Sequence, residues 1–515
     1  QFSNVSLFGG NRGAVAGGQV FEELLGGIRY AGSDQNLEAD VGGINYQPFT
    51  SNGVDAFGAL STRIQSVIDL DPQATSQIRL ADIDGAQSRG VSKGSILVDV
   101  DSTVVVVDLS DADMLGDVVT RVNDAIDSVD PTAGSLAIVG PGFELTATIG
   151  HTVEIKELGM GQTAANLGIE MLSAGGVRVA GPPVNIRLTE RTQLADLGAV
   201  VDFARGLSIT QGGVAQTADF SSAATIQDLV NVIDRMELGL RLQINATANG
   251  LDLISEVSGV DLSVGENGGS TAGDLGLRTY GTATALADFR NGLGVQSIVG
   301  EDDFGFTLHD GTTFGVNLDG VTTVAALITA IEGAAAASGV PVGVDFIVSL
   351  AGTGNGIIFT DNTRGPNDFQ IANLGLSLAA DHLGIKKNSG AGSTIQGEDN
   401  VTVRVESVFT HLINLRDALK NNDGLGITLA AGALEDDLET ATQTRAQVGI
   451  QAQRVQLHQD RSFDLELTEK TMLSELQDSE LTEVITRFAQ LQQQLLASLQ
   501  IGAQNLRASL FDYLR

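Results

Sequence analysis

From Leu434 the last part of this 515-residue chain reads as helix, with few interruptions to about Leu499, and no proline occurs after Pro366. A helix of roughly 60 residues is about 90 Å long at 1.5 Å rise per residue, so it does not fit inside one compact domain. Near its end Leu481, Val484, Phe488, Leu491 and Leu495 keep the 3,4,3,4 spacing of a coiled-coil seam. Such a seam needs a second helix against it. No other stretch of the sequence offers one of matching length. The partner is expected on another subunit, or in a native segment preceding Gln1, and the chain is expected to be part of a longer protein.

A shorter helix precedes this one. Val405, Val408, Leu412, Leu415 and Leu419 also follow 3,4,3,4 spacing and mark one stripe of a helix. Asn421, Asn422, Asp423 and Gly424 then end it, with Gly424 read as the left-handed residue of the C-terminus.

Upstream the texture is different. Residues 1–60 are rich in glycine and polar residues, with brief apolar elements at Val20 to Leu25 and Ile28 to Tyr30. Residues 61–395 alternate strand-like runs, such as Ile96 to Leu109, Leu240 to Ala246 and Val344 to Leu350, with short helices and Gly turns, an α+β pattern.

Within that section four segments recur in the same order. A Leu-Ala-Asp step occurs at residues 80–82, 194–196 and 286–288. A strand running into a helix follows at 107–119, 218–230 and 316–328, with a Ser or Asp after the strand available as cap. A strand after a Gly turn comes next, at 141–150, 249–259 and 355–365, and a small-residue helix closes each set at 164–169, 272–277 and 379–385. The period of roughly 100 residues exceeds solenoid repeats and suits a small domain. The expected fold is multidomain: a transition region at 1–60, α+β repeats at 61–175, 176–280 and 281–395, and an α-helical coiled-coil stem at 396–515.

Charge and composition exclude several roles. Acidic residues outnumber basic ones by 64 to 29, giving a net charge of −35, and no Lys/Arg cluster interrupts that field, so nucleic acid is not an expected partner. No apolar run approaches the ~18 residues of a membrane span, so membrane insertion is not expected either. The absence of cysteine removes disulfides, thiolate metal sites and a Cys nucleophile together. Aromatic residues are only 4% of the chain and none is tryptophan, a poor basis for a stacking platform.

Two weak chemical motifs are present. Gly90-Val91-Ser92-Lys93-Gly94 fits the pattern of a serine nucleophile elbow, but it precedes a strand where that motif follows one, and a plain turn is expected. His151, His309, His382, His411 and His458 are scattered singly, without the spacing of local metal ligands. Asp99 with Asp101, and Glu301 to Asp303, do not match a calcium loop and are expected to be solvated turns. No catalytic residue, metal site or cofactor is assigned, and the chain is not expected to be an enzyme.

The ending, with VFTHLINLRDALKNND (408–423), RAQVGIQAQRVQ (445–456) and ASLFDYLR (508–515), resembles the C-terminal region of the flagellin superfamily. The terminal Leu510-Phe511-Asp512-Tyr513-Leu514 is more similar to its hook-associated branch than to filament flagellin. QFSNVSLFGGNRG (1–13) is similar to the place where that family's N-terminal helix enters the outer domain, and the three recurring sets resemble the hook IN motif. The resemblance implies an exported, extracellular component of the bacterial flagellum, without a classical signal peptide. It implies a homo-oligomeric ring that contacts a neighbouring hook-associated protein and flagellin, and an export chaperone before assembly. The contact residues it implies are Leu510, Phe511 and Leu514 together with the two helical stripes. Flagellin itself, or a secreted adhesin whose repeats bind a surface ligand, are the alternative readings.

Overall fold

The computed structural model describes residues 8–12, 19–40, 46–48 and 50–512. The chain forms two units. The smaller comprises residues 1–15, 33–52 and 441–515, the larger residues 16–32 and 53–440.

In the smaller unit, Glu38–Asp40 pairs antiparallel with Tyr46–Pro48. Asn11 meets Gln35 through backbone and side chain, and the Asn52 amide donates to the Asp34 carbonyl at 2.9 Å. Most of the terminal helix lies in this unit.

The larger unit is α+β, with three separate hydrophobic clusters. The first lies between a four-stranded antiparallel sheet, in the order Leu172–Ala174, Thr152–Glu157, Ser95–Val100, Thr103–Asp108, and a three-stranded sheet of Arg178–Ala180, Gly142–Ala147 and Gly134–Val139. Alternation along Ser95–Val100 sends Ile96, Val98 and Val100 inward. The helix Leu115–Val129 buries Leu115, Val118, Val122 and Ile126, the i, i+3, i+7 face of an amphipathic helix. Helices Ile226–Asp234 and Val324–Ala337 fill the same role in the other two clusters, burying Leu229 and Ile233, and Leu327 and Ile331.

The same local bonds recur around each helix. The amides of Leu80, Leu194 and Leu286 donate to the carbonyls of Asp113, Ala224 and Thr322 at 2.8, 2.9 and 2.9 Å. The amides of Leu115, Ile226 and Val324 return the bond to Ile78, Thr192 and Thr284. Each Leu-Ala-Asp step is thus a 3-10 turn stitched to the start of the helix that follows. The capping residues differ from the Ser and Asp expected. Thr225 and Thr323 cap their helices, directly before the first turn, while the Asp117 carboxylate reaches back to the amides of Asp113 and Met114.

The small-residue helices Thr163–Leu167, Thr271–Asp274 and Ala379–His382 end on Gly168, Gly276 and Gly384 or just before them, with φ of 69°, 68° and 71°. These are left-handed conformations that L side chains rarely adopt. A polar side chain at the end of a strand accepts from each helix start. Glu157 takes the Ala165 amide at 2.8 Å, Glu266 the amides of Ala272 and Gly273 at 3.0 and 2.8 Å, and Asn373 the Ala380 amide at 2.9 Å.

Sheet pairing ties some of these parts and not others. Thr353–Gly354 adds to the edge of Asp261–Asn267, and Thr62–Gln65 adds to Leu251–Ser255, so strands distant in sequence share a sheet. The buried Asn355 amide donates to Thr279, Asp399 and the Val264 carbonyl at the same junction. Both sheets of the first cluster are built only from residues 95–180.

Candidate assembly surface

Val403–Arg404 pairs with Asp261 and Leu262 and leads the chain out of the α+β body. The Arg404 guanidinium bonds Asp261 at 2.8 Å and Asn414 at 2.6 Å, fixing the exit against the next helix. That helix is Val408–Lys420, capped by Ser407, whose hydroxyl accepts from the Thr410 amide at 3.3 Å.

Val405 is not on this helix. It is fully buried, lies before the cap and bridges Ser258 in parallel, so it belongs to the body. The expected stripe is also displaced. Thr410 accepts from the Gly259 amide at 2.8 Å, Ile413 packs over Gly259, and Phe409 packs at a tilt against Phe21 and Phe57. Leu412 and Leu419 are left 50% and 59% exposed, with Val408 and Leu415 half-buried. Polar and aromatic contacts to the body outweigh the leucine periodicity in setting the helix's rotation.

The left-handed residue after the helix is Asn422, φ 53°, and not Gly424. Asparagine adopts this conformation more readily than most other L residues. Gly424 instead opens the terminal helix, Gly424–Asp512, 89 residues without a break. It starts ten residues before the periodicity indicates, because the glycines and Thr428 near its start obscure the apolar pattern. In the larger unit Ala430 is buried, and His411 lies between Glu406 and Asp437. Burial opposes protonation of His411, but its hydrogen bonds to Asp437 and Glu406 outweigh that and hold its pKa above the ordinary histidine value.

From Gln459 to Ile501 every described side chain on the helix is exposed. Leu481, Val484, Phe488, Leu491 and Leu495 are 57–62% exposed, and Ile485, Leu496 and Leu499 widen the row they form. The structure places these five along one exposed stripe of the helix, with the spacing of a coiled-coil seam. Leu510 and Phe511 fall within the helix, but their side chains, like all of Leu514, lie outside the described residues.

The remaining candidates are dispersed. Residues 90–94 form an irregular stretch before Ser95–Val100, where the Ser92 amide donates to Asn166 at 3.3 Å. His151 and His309 pair with Asp101 and Asp361, and His458 sits on the terminal helix. Asp303, expected in a solvated turn, is fully buried and accepts from the Ile298 and Leu318 amides and the Ser377 hydroxyl. Among the described residues no group of three or more His, Cys, Asp or Glu gathers as a metal site, and no helix is long and apolar enough to cross a membrane. A cleft of about 910 Å³ runs between two Leu-Ala-Asp turns. Arg79, Arg187 and Arg191 in its lining are matched by Asp82, Glu190 and Asp196, so it favours neither charge.

No protein-family model matches the sequence, and no curated protein matches it. Among solved structures, the flagellar cap protein FliD from Helicobacter pylori aligns over 64% of this chain and 81% of that one, at 11% identity and a TM-score of 0.13. Likeness at that level carries no argument about fold or role.

Proposed function

We propose that this chain is a structural subunit of the bacterial flagellum, an adaptor at the junction of hook and filament like flagellar hook-associated protein 3. The observation that carries the reading is the exposed stripe Leu481, Val484, Phe488, Leu491 and Leu495 on an 89-residue helix. Such a face is stable in water only when another helix covers it. Each Leu or Phe covered contributes about 1.5–3 kcal/mol, enough for a repeated row to set a strong, directional contact. Leu412 and Leu419 on the preceding helix, and Leu510, Phe511 and Leu514 at the end, extend the contact set.

The flagellar assignment rests on the resemblance of residues 408–423, 445–456 and 508–515 to the flagellin superfamily. In this reading residues 61–175, 176–280 and 281–395 are three copies of one outer unit. The recurring Leu-amide bond, the acceptor over each closing helix and the left-handed Gly168, Gly276 and Gly384 support that ancestry. The role is mechanical and extracellular, with a homo-oligomeric ring, adjoining hook-associated protein and flagellin as partners, and no chemistry of its own.

Deleting the gene in the source bacterium tests the proposal by motility and electron microscopy. The expected result is intact hooks without filaments, with flagellin lost to the medium. Normal filaments would overturn the junction role and favour a redundant flagellin or a surface-binding protein.

A further inference from the structure

Residues 74–187 are tied to the rest of the chain by little more than their own two ends. Their hydrophobic cluster, with the side chains packed against it, draws only on residues 74–186, and the other two clusters draw on none of these. Among the described residues, no strand pair, hydrogen bond or ion pair links 74–187 with any other part of the chain. The changeover takes one residue on each connecting strand. The Gln73 amide donates to the Asp196 carbonyl at 2.6 Å, and the next amide, that of Ala74, donates to Gly140 inside the module at 3.0 Å. On the returning strand the Arg187 amide donates to Asp82 inside the module at 2.9 Å, and the Leu188 amide to Ala248 outside it at 2.7 Å.

The second and third units are joined differently. Thr353–Gly354 pairs with Glu266 and Asn267, and the Arg278 guanidinium donates to Asn355 and to the Ala351 carbonyl. Asn355 in turn donates to Thr279 and to the Val264 carbonyl. Relative motion at that junction would strand buried donors and acceptors, whereas motion at the neck of residues 74–187 strands none.

We propose that residues 74–187 swing as a rigid body about a hinge at Gln73-Ala74 and Arg187-Leu188, while the second and third units move as one. Parts of a chain that share no large apolar interface move relative to each other, and a few residues between packed bodies absorb the change in backbone angles. The cleft of about 910 Å³ between two Leu-Ala-Asp turns is lined from both sides of this neck, so the swing opens and closes it. Arg79, Asp82 and Arg187 give the module's wall two cations and one anion, and Glu190, Arg191 and Asp196 give the facing wall two anions and one cation. Opposite net charges leave closure unopposed by repulsion. Arg79 and Arg187 are held by Asp113 and Asp84 of the module itself, so its wall travels with it.

Pulsed electron spin resonance tests this on the full chain, whose lack of cysteine makes each introduced thiol a unique label site. Asp124, Asp234 and Thr329 are exposed positions on the principal helices of the three units, and Glu170 is an exposed second site in the module. Asp124→Cys and Glu170→Cys are each combined with Asp234→Cys, and Asp234→Cys with Thr329→Cys, after circular dichroism shows every variant folded like the parent. Two module sites are used because a swing along an arc of constant length escapes one of them. From at least one module site, the distance distribution across the neck is expected to be about twofold or more broader than that between Asp234→Cys and Thr329→Cys. Distributions across the neck as narrow as the reference would mean a fixed module. A reference as broad as the pairs across the neck would mean that the second and third units are not locked. Either result overturns the proposal.

Discussion

His411 holds Nδ1 2.7 Å from the Asp437 carboxylate and Nε2 3.1 Å from the Glu406 carboxylate. Both partners only accept, and a neutral imidazole has one N–H to give. The doubly protonated ring alone satisfies both. One side chain therefore fastens the helix Val408–Lys420 to the first turns of the terminal helix.

This fastening is pH-dependent, with a definite sign. The folded pKa of His411 is raised, so the native state binds the proton more tightly than the unfolded chain, and stability falls as pH rises through the folded value. The contribution is complete below the ordinary histidine value of about 6.5. The ring resonances of His411 are expected to titrate above that value, and amide exchange across residues 424–437 to quicken over the same interval. His411→Gln should make the protection of those amides, relative to their intrinsic base-catalysed rate, independent of pH over that interval. A titration midpoint at or below the ordinary value contradicts the assignment.

The acceptors over the three closing helices differ in how much depends on them. Glu266 is buried, accepts two amides and lies 3.8 Å from the partly buried Arg278 guanidinium. Glu266→Ala strands both amides, at about 2–6 kcal/mol, while Arg278 keeps its bonds to Asn355 and the Ala351 carbonyl. Glu157→Ala and Asn373→Ala each strand one closing-helix amide, at about 1–3 kcal/mol. Urea denaturation should rank Glu266→Ala as the most damaging. Equal midpoints for the three variants would refute the ranking.

The two-residue turn Asp101-Ser102, with φ of 49° and 72°, joins Ser95–Val100 to Thr103–Asp108 in the type I′ geometry and offers a stabilising change. A serine at φ 72° is held in a conformation that costs an L residue about 1–2 kcal/mol and glycine nothing. Asp101 must stay, because its carboxylate bonds His151 at 2.7 Å and the Thr152 amide at 2.8 Å. Ser102→Gly restores the Asp-Gly preference of this turn type, offset in part by added freedom in the unfolded chain. Calorimetry should show a melting temperature higher by about 1–3 °C. An unchanged or lower value would mean the turn is not strained.

That turn also shows where the sequence was legible and where it was not. Val and Ile alternate on both sides of Asp101-Ser102, so residues 96–109 read as one strand, without an Asn-Gly or Asp-Gly pair to mark the hairpin. The terminal helix was plain because its periodicity is long and proline-free, although its start was not, since Gly424, Gly426 and Thr428 break the pattern. Val405 fits the leucine spacing by coincidence across Ser407, and only the cap shows that the helix begins after it. Glu157, Glu266 and Asn373 carried no local signal. Each acts on amides six to eight residues ahead, a relation set by the strand-to-helix turn and absent from any periodicity.

On the proposed function, the exposed stripe serves assembly and not folding. Phe488 and Leu491 are 61% and 57% exposed, and no described interaction of the α+β body depends on them. Replacing either with aspartate therefore leaves the cooperative melting of the larger unit unchanged within about 0.5 kcal/mol. In an assembled seam the same change places a carboxylate among leucines, where an unpaired charge costs several kcal/mol. Every ~1.4 kcal/mol of that cost weakens association about tenfold. Phe488→Asp and Leu491→Asp should fold, by circular dichroism and thermal melting, yet fail to enter the cell's flagella when expressed in place of the parent. A variant that assembles normally would mean that the stripe is not the assembly face, and would move that role to Leu412 and Leu419.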